Sequence, residues 1–298
     1  MTENKHLGNF ILLFTAMVWG LAFAFQSEGS EVLDPFTFTA SRMTLAAVEV
    51  TLLCIFLDMK KGIDRSKKGS EYQKTTIKAG VLCGLGMLGG TVFQQIGIRY
   101  TTAGKAGFIT ALYIIIVPIA SSFILRKKPS LRVWIAVLAG VIGMYLLCIN
   151  GDSGFNKGDI YVTLCALCFS VQIMLIDHFS PKADGAKIAA VEFILISVVC
   201  WVLAFIFETP SMAAIKSAAV AILYCGCISG GLGYTLQIIG QKYTDPTSGS
   251  LCMSFEAVFA AVGGALLLHE TMSVREIIGA AVMFAAIVLV QLPEKEKQ

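Results

Sequence analysis

Charged residues are scarce in this chain. Asp, Glu, Lys and Arg make up 14% of its 298 residues, against about 25% in ordinary soluble domains. The longest polar segment is 58–76, DMKKGIDRSKKGSEYQKTT, and the tail PEKEKQ is short, so little sequence is left for a water-soluble domain. The net charge is only +3, and without a folded basic domain that excludes nucleic-acid binding. Histidine occurs three times, at His6, His178 and His269, too widely spaced for a local metal motif. His269-Glu270 has no second His four residues on, which removes the zinc-protease helix. There is no P-loop and no Asp-rich diphosphate motif. The nine cysteines all lie within or at the ends of apolar runs. Cys165-x-x-Cys168 has the spacing of a redox or metal pair, but it sits inside a predicted helix with no second pair, and both are read as small packing residues. No metal and no cofactor are expected.

What the chain does have is apolar length. Hydrophobic residues make up 56% of it, with a mean hydropathy of +0.76. Runs free of Asp, Glu, Lys and Arg cover 7–27, 79–98, 106–125, 133–151, 160–176, 217–241 and 277–293. Each is near the ~20 residues that a helix needs to cross a bilayer core. Three more apolar stretches carry interior charges: 35–57 (Arg42, Glu49), 188–207 (Glu192) and 246–268 (Glu256). The runs are continuous rather than alternating, which favours helices over a barrel. The expected fold is therefore all-α integral membrane with ten transmembrane helices, at about 7–27, 35–57, 77–98, 103–125, 131–150, 158–177, 186–207, 217–241, 246–268 and 274–292. Ala22-x-Ala24 after an apolar run has the look of a signal-peptide cleavage site, but 157–177 is a mid-chain counterpart of that segment, so the first helix is expected to be retained.

The counterpart belongs to a repeat. Residues 94–101 read QQIGIRYT and residues 237–244 read QIIGQKYT, an offset of 143. At offset 150, Gly8 matches Gly158, Ala16 matches Ala166, Asp34 matches Asp184, and Arg42 falls on Glu192. The chain is thus predicted to be two five-helix units, 1–151 and 152–298. Five crossings are odd, so the second unit enters the membrane upside down, and inverted repeats are the architecture of carriers that work by alternating access.

The loop charges set the orientation. With the N-terminus inside, 17 of the 23 Lys and Arg fall on the cytoplasmic side, against five outside (Arg99, Lys105, Lys157, Lys216, Arg275), while Arg42 lies in the membrane. Both termini are expected in the cytoplasm, with the chain multi-pass in the plasma or inner membrane. The basic loops serve topology first and contact with anionic lipid second.

Charges at mid-membrane are costly and usually face a cavity or a partner. Arg42, Glu192 and Glu256 are the charged substrate-site candidates, joined by Trp19, Tyr113, Gln172 and Gln237. Tyr113 is the repeat mate of Glu256, so both should face one central axis, with Trp19 on the cavity wall. Glu49, Glu192 and Glu256 are the proton-coupling candidates. Arg42 has two open readings, holding a substrate carboxylate or pairing with an acidic side chain. Glu49 has an alternative too, snorkelling to the cytoplasmic side. Pro118 is expected to kink the fourth helix.

AMVWGLAFAF (16–25), FTASRMTL (38–45), GIRYT (97–101), AGFITALYIIIVP (106–118), QKYTDPTSGSLCMSFEAVFAAVGGALLLHETMS (241–273) and IIGAAVMFAAIVL (277–289) run in order along the chain. Together they resemble the drug/metabolite transporter superfamily, EamA type, over essentially the whole chain. Glu256-Ala257 stands where that family usually has Glu-Pro, and Arg126-Lys127-Lys128 where it usually carries a Glu. The resemblance implies ten helices, both termini inside, and movement of small metabolites such as amino acids. The expected function is a secondary transporter of small organic solutes across the cytoplasmic membrane, in the export direction. Its partners would be the solute, the bilayer and protons. The rival readings are an uncoupled uniporter or exchanger of the same fold, and an integral membrane enzyme acting on lipid.

Overall fold

The computed structural model describes residues 2–60, 70–124, 130–148, 156–267 and 273–291. The basic segment 61–69, Arg126-Lys127-Lys128, His269-Glu270 and the tail lie outside these residues. Among the described residues the secondary structure is entirely helical. The helices are α1 (Thr2–Val32), α2 (Pro35–Lys60), α3 (Ser70–Ile98), α4 (Ala103–Thr110), α5 (Tyr113–Ile124), α6 (Leu131–Cys148), α7 (Lys157–Phe179) and α8 (Gly185–Phe207). The short α9 (Met212–Ser217) and α10 (Ala219–Leu223) lead into a π-helix at Tyr224–Tyr234, then α11 (Thr235–Gln241), α12 (Pro246–Met253), α13 (Glu256–Leu267) and α14 (Val274–Gln291). Eight helices, counting α4–α5, α10–α11 and α12–α13 as one crossing each, are long and apolar enough to span a membrane. Two shorter apolar helices run within α6 and α14. Eight of the ten expected crossings thus have spanning length among the described residues, and the other two fall on these shorter helices.

The two halves exchange their packing partners. α1 packs on α11, α12 and α13, while its repeat mate α7 packs on α3, α4 and α5. α2 lies along its own mate α8, and α6 along its mate α14. The ends of α2 and α8 reveal direction. The Glu208 carboxylate, just past the end of α8, accepts from the backbone N–H of Phe36 and Thr37 at 2.8 and 2.7 Å and from Thr37 Oγ1 at 2.7 Å, at the start of α2. Asp58, near the end of α2, receives Lys187 Nζ at 2.7 Å, at the start of α8. Offset 150 pairs Asp58 with Glu208 and Thr37 with Lys187. Equivalent helices therefore run antiparallel, each clamped near its N-terminal turn by the other's last carboxylate, through free N–H groups at α2, where the helix dipole favours an anion, and through the Lys187 ammonium at α8. This is the inverted relation.

The recurring octapeptides mark the same corner in each half. Ile98 closes α3 and Gln241 closes α11. A Cβ on Gly158 would meet Gly97 O at 2.6 Å and Tyr100 Cβ at 2.9 Å; one on Gly8 would meet Gly240 O and Tyr243 Cβ, both at 2.9 Å. Each half's corner thus seats the first helix of the other half, backbone against backbone, which only glycine permits. Thr101 donates to Asp159 at 3.3 Å in one corner, and its mate Thr244 donates to Asn9 at 2.9 Å in the other. Any side chain at Gly158 must push two helices apart. Gly158→Val is expected to cost about 1–3 kcal/mol or more, read as a lower unfolding temperature of the purified protein.

Several boundaries differ from expectation. α1 continues to Val32 rather than ending near 27, because Leu33 N bonds back to Gly29 O at 3.0 Å and the bare Gly29 admits the Phe38 ring. Pro118 does not break the fourth crossing. It sits inside α5, and the break lies earlier, at Ala111-Leu112. There Leu112, Ile114 and Ile115 bond three residues back, and their mates Phe255, Ala257 and Val258 do the same at the α12–α13 break. The mate of Pro118 is Ala261, so a proline is not the cause. The shared 3₁₀-type turn is. The crossing expected at 217–241 is not a plain α-helix either. Its middle widens into the π-helix, where a Cβ on Gly226 would stand 2.7 Å from the Arg42 carbonyl oxygen on α2.

Candidate functional site

The paired breaks place Tyr113 and Glu256 each as the first residue of a new helix. Tyr113 Oη donates to Glu256 Oε1 at 2.8 Å, and both side chains are buried. Two repeat mates thus meet on the axis between the halves. They border a cavity with about 410 Å³ of empty space, its open side included.

Six of the seven substrate-site candidates from the sequence line this cavity: Trp19, Arg42, Tyr113, Gln172, Gln237 and Glu256. Arg42 is 2% exposed, with its guanidinium carbon 5.7 Å from the centre of the Phe38 ring. Its Nε and Nη2 have no hydrogen-bond partner, and no described ion pair includes it. Of the two readings of Arg42, pairing with an acidic side chain is not what the described residues show. Trp19 donates through Nε1 to the Ser229 carbonyl at 3.2 Å, and its ring lies 4.6 Å from that of Tyr234. Gln237 Nε2 donates to Gln172 Oε1 at 3.3 Å, leaving Gln172 Nε2 and Gln237 Oε1 unpartnered.

Glu192 is the seventh candidate, and it does not line the cavity. It is fully buried behind the wall, beside Gln172 and Cys83. Glu49 does not line the cavity either. It is exposed on the outer face of α2, against Gly231 and Cys227 of the π-helix. Seven residues along a helix return to nearly the same face, and the π-helix lies against both residues, with Gly226 on buried Arg42 and Gly231 on the carboxylate of exposed Glu49.

The sequence reading passed over several wall residues: Phe23, Gln26, Thr110, Phe169 and Tyr234, with Gln94 noted there only as a repeat mate. Phe169 carried a usable signal, since it is the mate of Trp19 at offset 150, and the two rings flank Tyr234 from either half, the second at 6.4 Å. Gln94 donates to Thr110 at 3.2 Å. Gln26 turns an unpartnered, buried Oε1 toward the site. The wall therefore combines a guanidinium with free N–H groups, a tyrosine-bound carboxyl, several amides and an aromatic floor. Such a lining matches in chemistry a small solute with an anionic group and hydrogen-bonding polar groups.

Comparison with known proteins agrees with this architecture. A protein of Archaeoglobus fulgidus described as an uncharacterized transporter is 28% identical over 94% of this chain and 84% of its own length. The uncharacterized transporter YoaV of Bacillus subtilis is 23% identical over 93% of this chain and 94% of its own. A chloroplastic WAT1-related protein of Arabidopsis thaliana is 22% identical, covering 98% and 71%. One crystal structure superposes with a TM-score of 0.74 over 94% of both chains at 18% identity, which speaks to the fold alone. The model of the EamA-like transporter family matches twice, over residues 6–149 and 156–292. A multi-pass membrane protein built from two such segments, this chain belongs to the EamA-like transporter family.

Proposed function

We propose that the chain is a secondary transporter that exports a small organic solute bearing a carboxylate across the cytoplasmic membrane by alternating access. Residues 1–151 and 152–298 act as its two halves. The observation that carries this reading is the cavity on the axis between antiparallel repeat mates, lined by Arg42 with unused donors. Inverted halves can exchange which side of a central site they close. In this scheme Arg42 holds the solute carboxylate, Glu256 receives an amino group or a proton once Tyr113 releases it, and Trp19 and Tyr234 pack the apolar part. An amino acid or a closely related metabolite satisfies that set.

The test has two steps. A stabilisation screen of purified protein against amino acids, other carboxylates, nucleosides, sugars and polyamines should single out carboxylate-bearing solutes, since a ligand of the folded state raises its stability. The solute found should then accumulate in proteoliposomes under an imposed gradient. Stabilisation by polyamines or sugars alone would remove the carboxylate; binding without uptake would remove the carrier.

Orientation is tested separately. Glu31 is exposed near the end of α1 and serves as a reporter. A cysteine at Glu31 should react with an impermeant maleimide on intact cells, and one at Lys182 only after lysis. The opposite pattern reverses the topology and makes the cytoplasmic termini extracellular.

A further inference from the structure

We propose that Glu192 is a proton site set behind the cavity wall, and that Gln172 reports its state to the cavity. This rests on the carrier reading for its use in transport, but the site itself is argued from local geometry.

Glu192 lies in α8 with 0% exposure, and neither carboxyl oxygen has a well-formed hydrogen bond. Its carboxyl neighbours are the Gln172 amide on α7 and the Cys83 thiol on α3. Gly84 on α3 closes the space, since a Cβ there would stand 3.2 Å from Glu192 Cα. α8 also packs on α2 and α11. From α2 the charged groups are Arg42, which lines the cavity and makes no described ion pair, Glu49 and Lys60, both exposed, and Asp58, held by Lys187 at the far end. α11 brings Gln237 and no charge. Tyr234 of the π-helix lies within electrostatic reach of Glu192. Among the described residues no cation forms an ion pair with the carboxyl. A hard cation needs six or more oxygens and zinc about four N, S or O ligands, and among the described residues no group of three or more His, Cys, Asp and Glu side chains gathers here. A proton is what the space can take.

Gln172 gives the proton a consequence. Its Oε1 accepts from Gln237, while its Nε2 is unpartnered. Gln172 keeps its Oε1 on Gln237 and presents its Nε2 to the carboxyl, so an ionised Glu192 accepts from Nε2 with the Gln237 bond intact. A protonated Glu192 donates its O–H instead, so Gln172 turns its Oε1 toward the carboxyl and releases Gln237. The proton is taken from cavity water and returned to it. One amide rotation thus changes which hydrogen-bonding groups the cavity offers the solute.

The experiment needs no substrate. Infrared difference spectra across a pH titration are recorded on the full chain in lipid nanodiscs, reading the C=O band of a protonated carboxyl shielded from water. The wild type and Glu256→Gln should both show such a band that disappears as pH rises. Glu192→Gln should lose it, and Gln172→Leu should keep it at a displaced frequency. Absence of a titrating band in Glu256→Gln, or its survival in Glu192→Gln, overturns the proposal. So does an unshifted band in Gln172→Leu, which would uncouple the site from the cavity. Should Glu192→Gln fail to give monodisperse protein, the wild-type, Glu256→Gln and Gln172→Leu spectra still decide. Failure here leaves the solute screen untouched, and failure of the screen leaves the band assignment untouched.

Discussion

Arg42→Met is expected to weaken solute binding by about 30-fold or more while raising the unfolding temperature of the empty protein. The two halves of that result have one cause. Arg42 is 2% exposed, with two guanidinium nitrogens unpartnered, so the empty state bears the cost of a buried charge that nothing described neutralises. Methionine fills much of the same volume without the charge. In the loaded state the same guanidinium pairs with the solute, and truncating one partner of a buried charge pair typically costs ~2–5 kcal/mol. Arg42→Lys keeps the charge but loses the planar fork, so it should fall between the two. Binding is read with the solute from the screen, and stability by thermal unfolding without it. A lower unfolding temperature in Arg42→Met would show that Arg42 holds the fold together rather than the solute.

Lys105→Met is expected to destabilise the protein by about 3–5 kcal/mol, the usual cost of leaving a buried charge without its partner. Lys105 Nζ lies 2.8 Å from Asp159 Oδ2, with the two side chains 11% and 0% exposed. The internal repeat supplies the rescue. At the equivalent corner, Ser248 stands for Lys105 and Asn9 for Asp159. The double variant Lys105→Ser, Asp159→Asn therefore installs chemistry that the fold already uses, and Thr101 can still donate to the new amide oxygen. It should recover most of the loss. A double-mutant cycle on chemical unfolding measures this directly, and a coupling near zero would mean that the two side chains act independently.

The sequence alone carried the helices, the repeat and the idea that mates share an axis. Those follow from apolar run length and from residues recurring at two fixed offsets, both one-dimensional signals. It could not carry the breaks at 111–112 and 254–255. They contain no glycine or proline at the turn itself, and the one nearby proline pointed to the wrong place. Nor could it tell Glu192 from Arg42. The two are repeat mates, yet one lines the cavity and the other sits behind Gln172, because the π-helix against α2 has no counterpart in the plain α3 against α8. The second half departs from the first most where the cavity forms, and an alignment of identities is least informative there. Glu49 shows the same limit: spacing assigns it the face of Arg42, but spacing does not tell that Arg42 is buried there and Glu49 exposed.

The corners have a consequence for ancestry. Gly8 rests on Gly240, and Gly158 on Gly97, so neither half supplies the seat for its own first helix. A single unit, before it was duplicated and joined, would have found that seat only on a sister molecule threaded the other way through the same bilayer. The present chain has the form of such a couple made permanent by a linker, with each partner's insertion direction assigned. The two corners differ accordingly in chemistry, with Lys105 and Asp159 at one and uncharged Ser248 and Asn9 at the other.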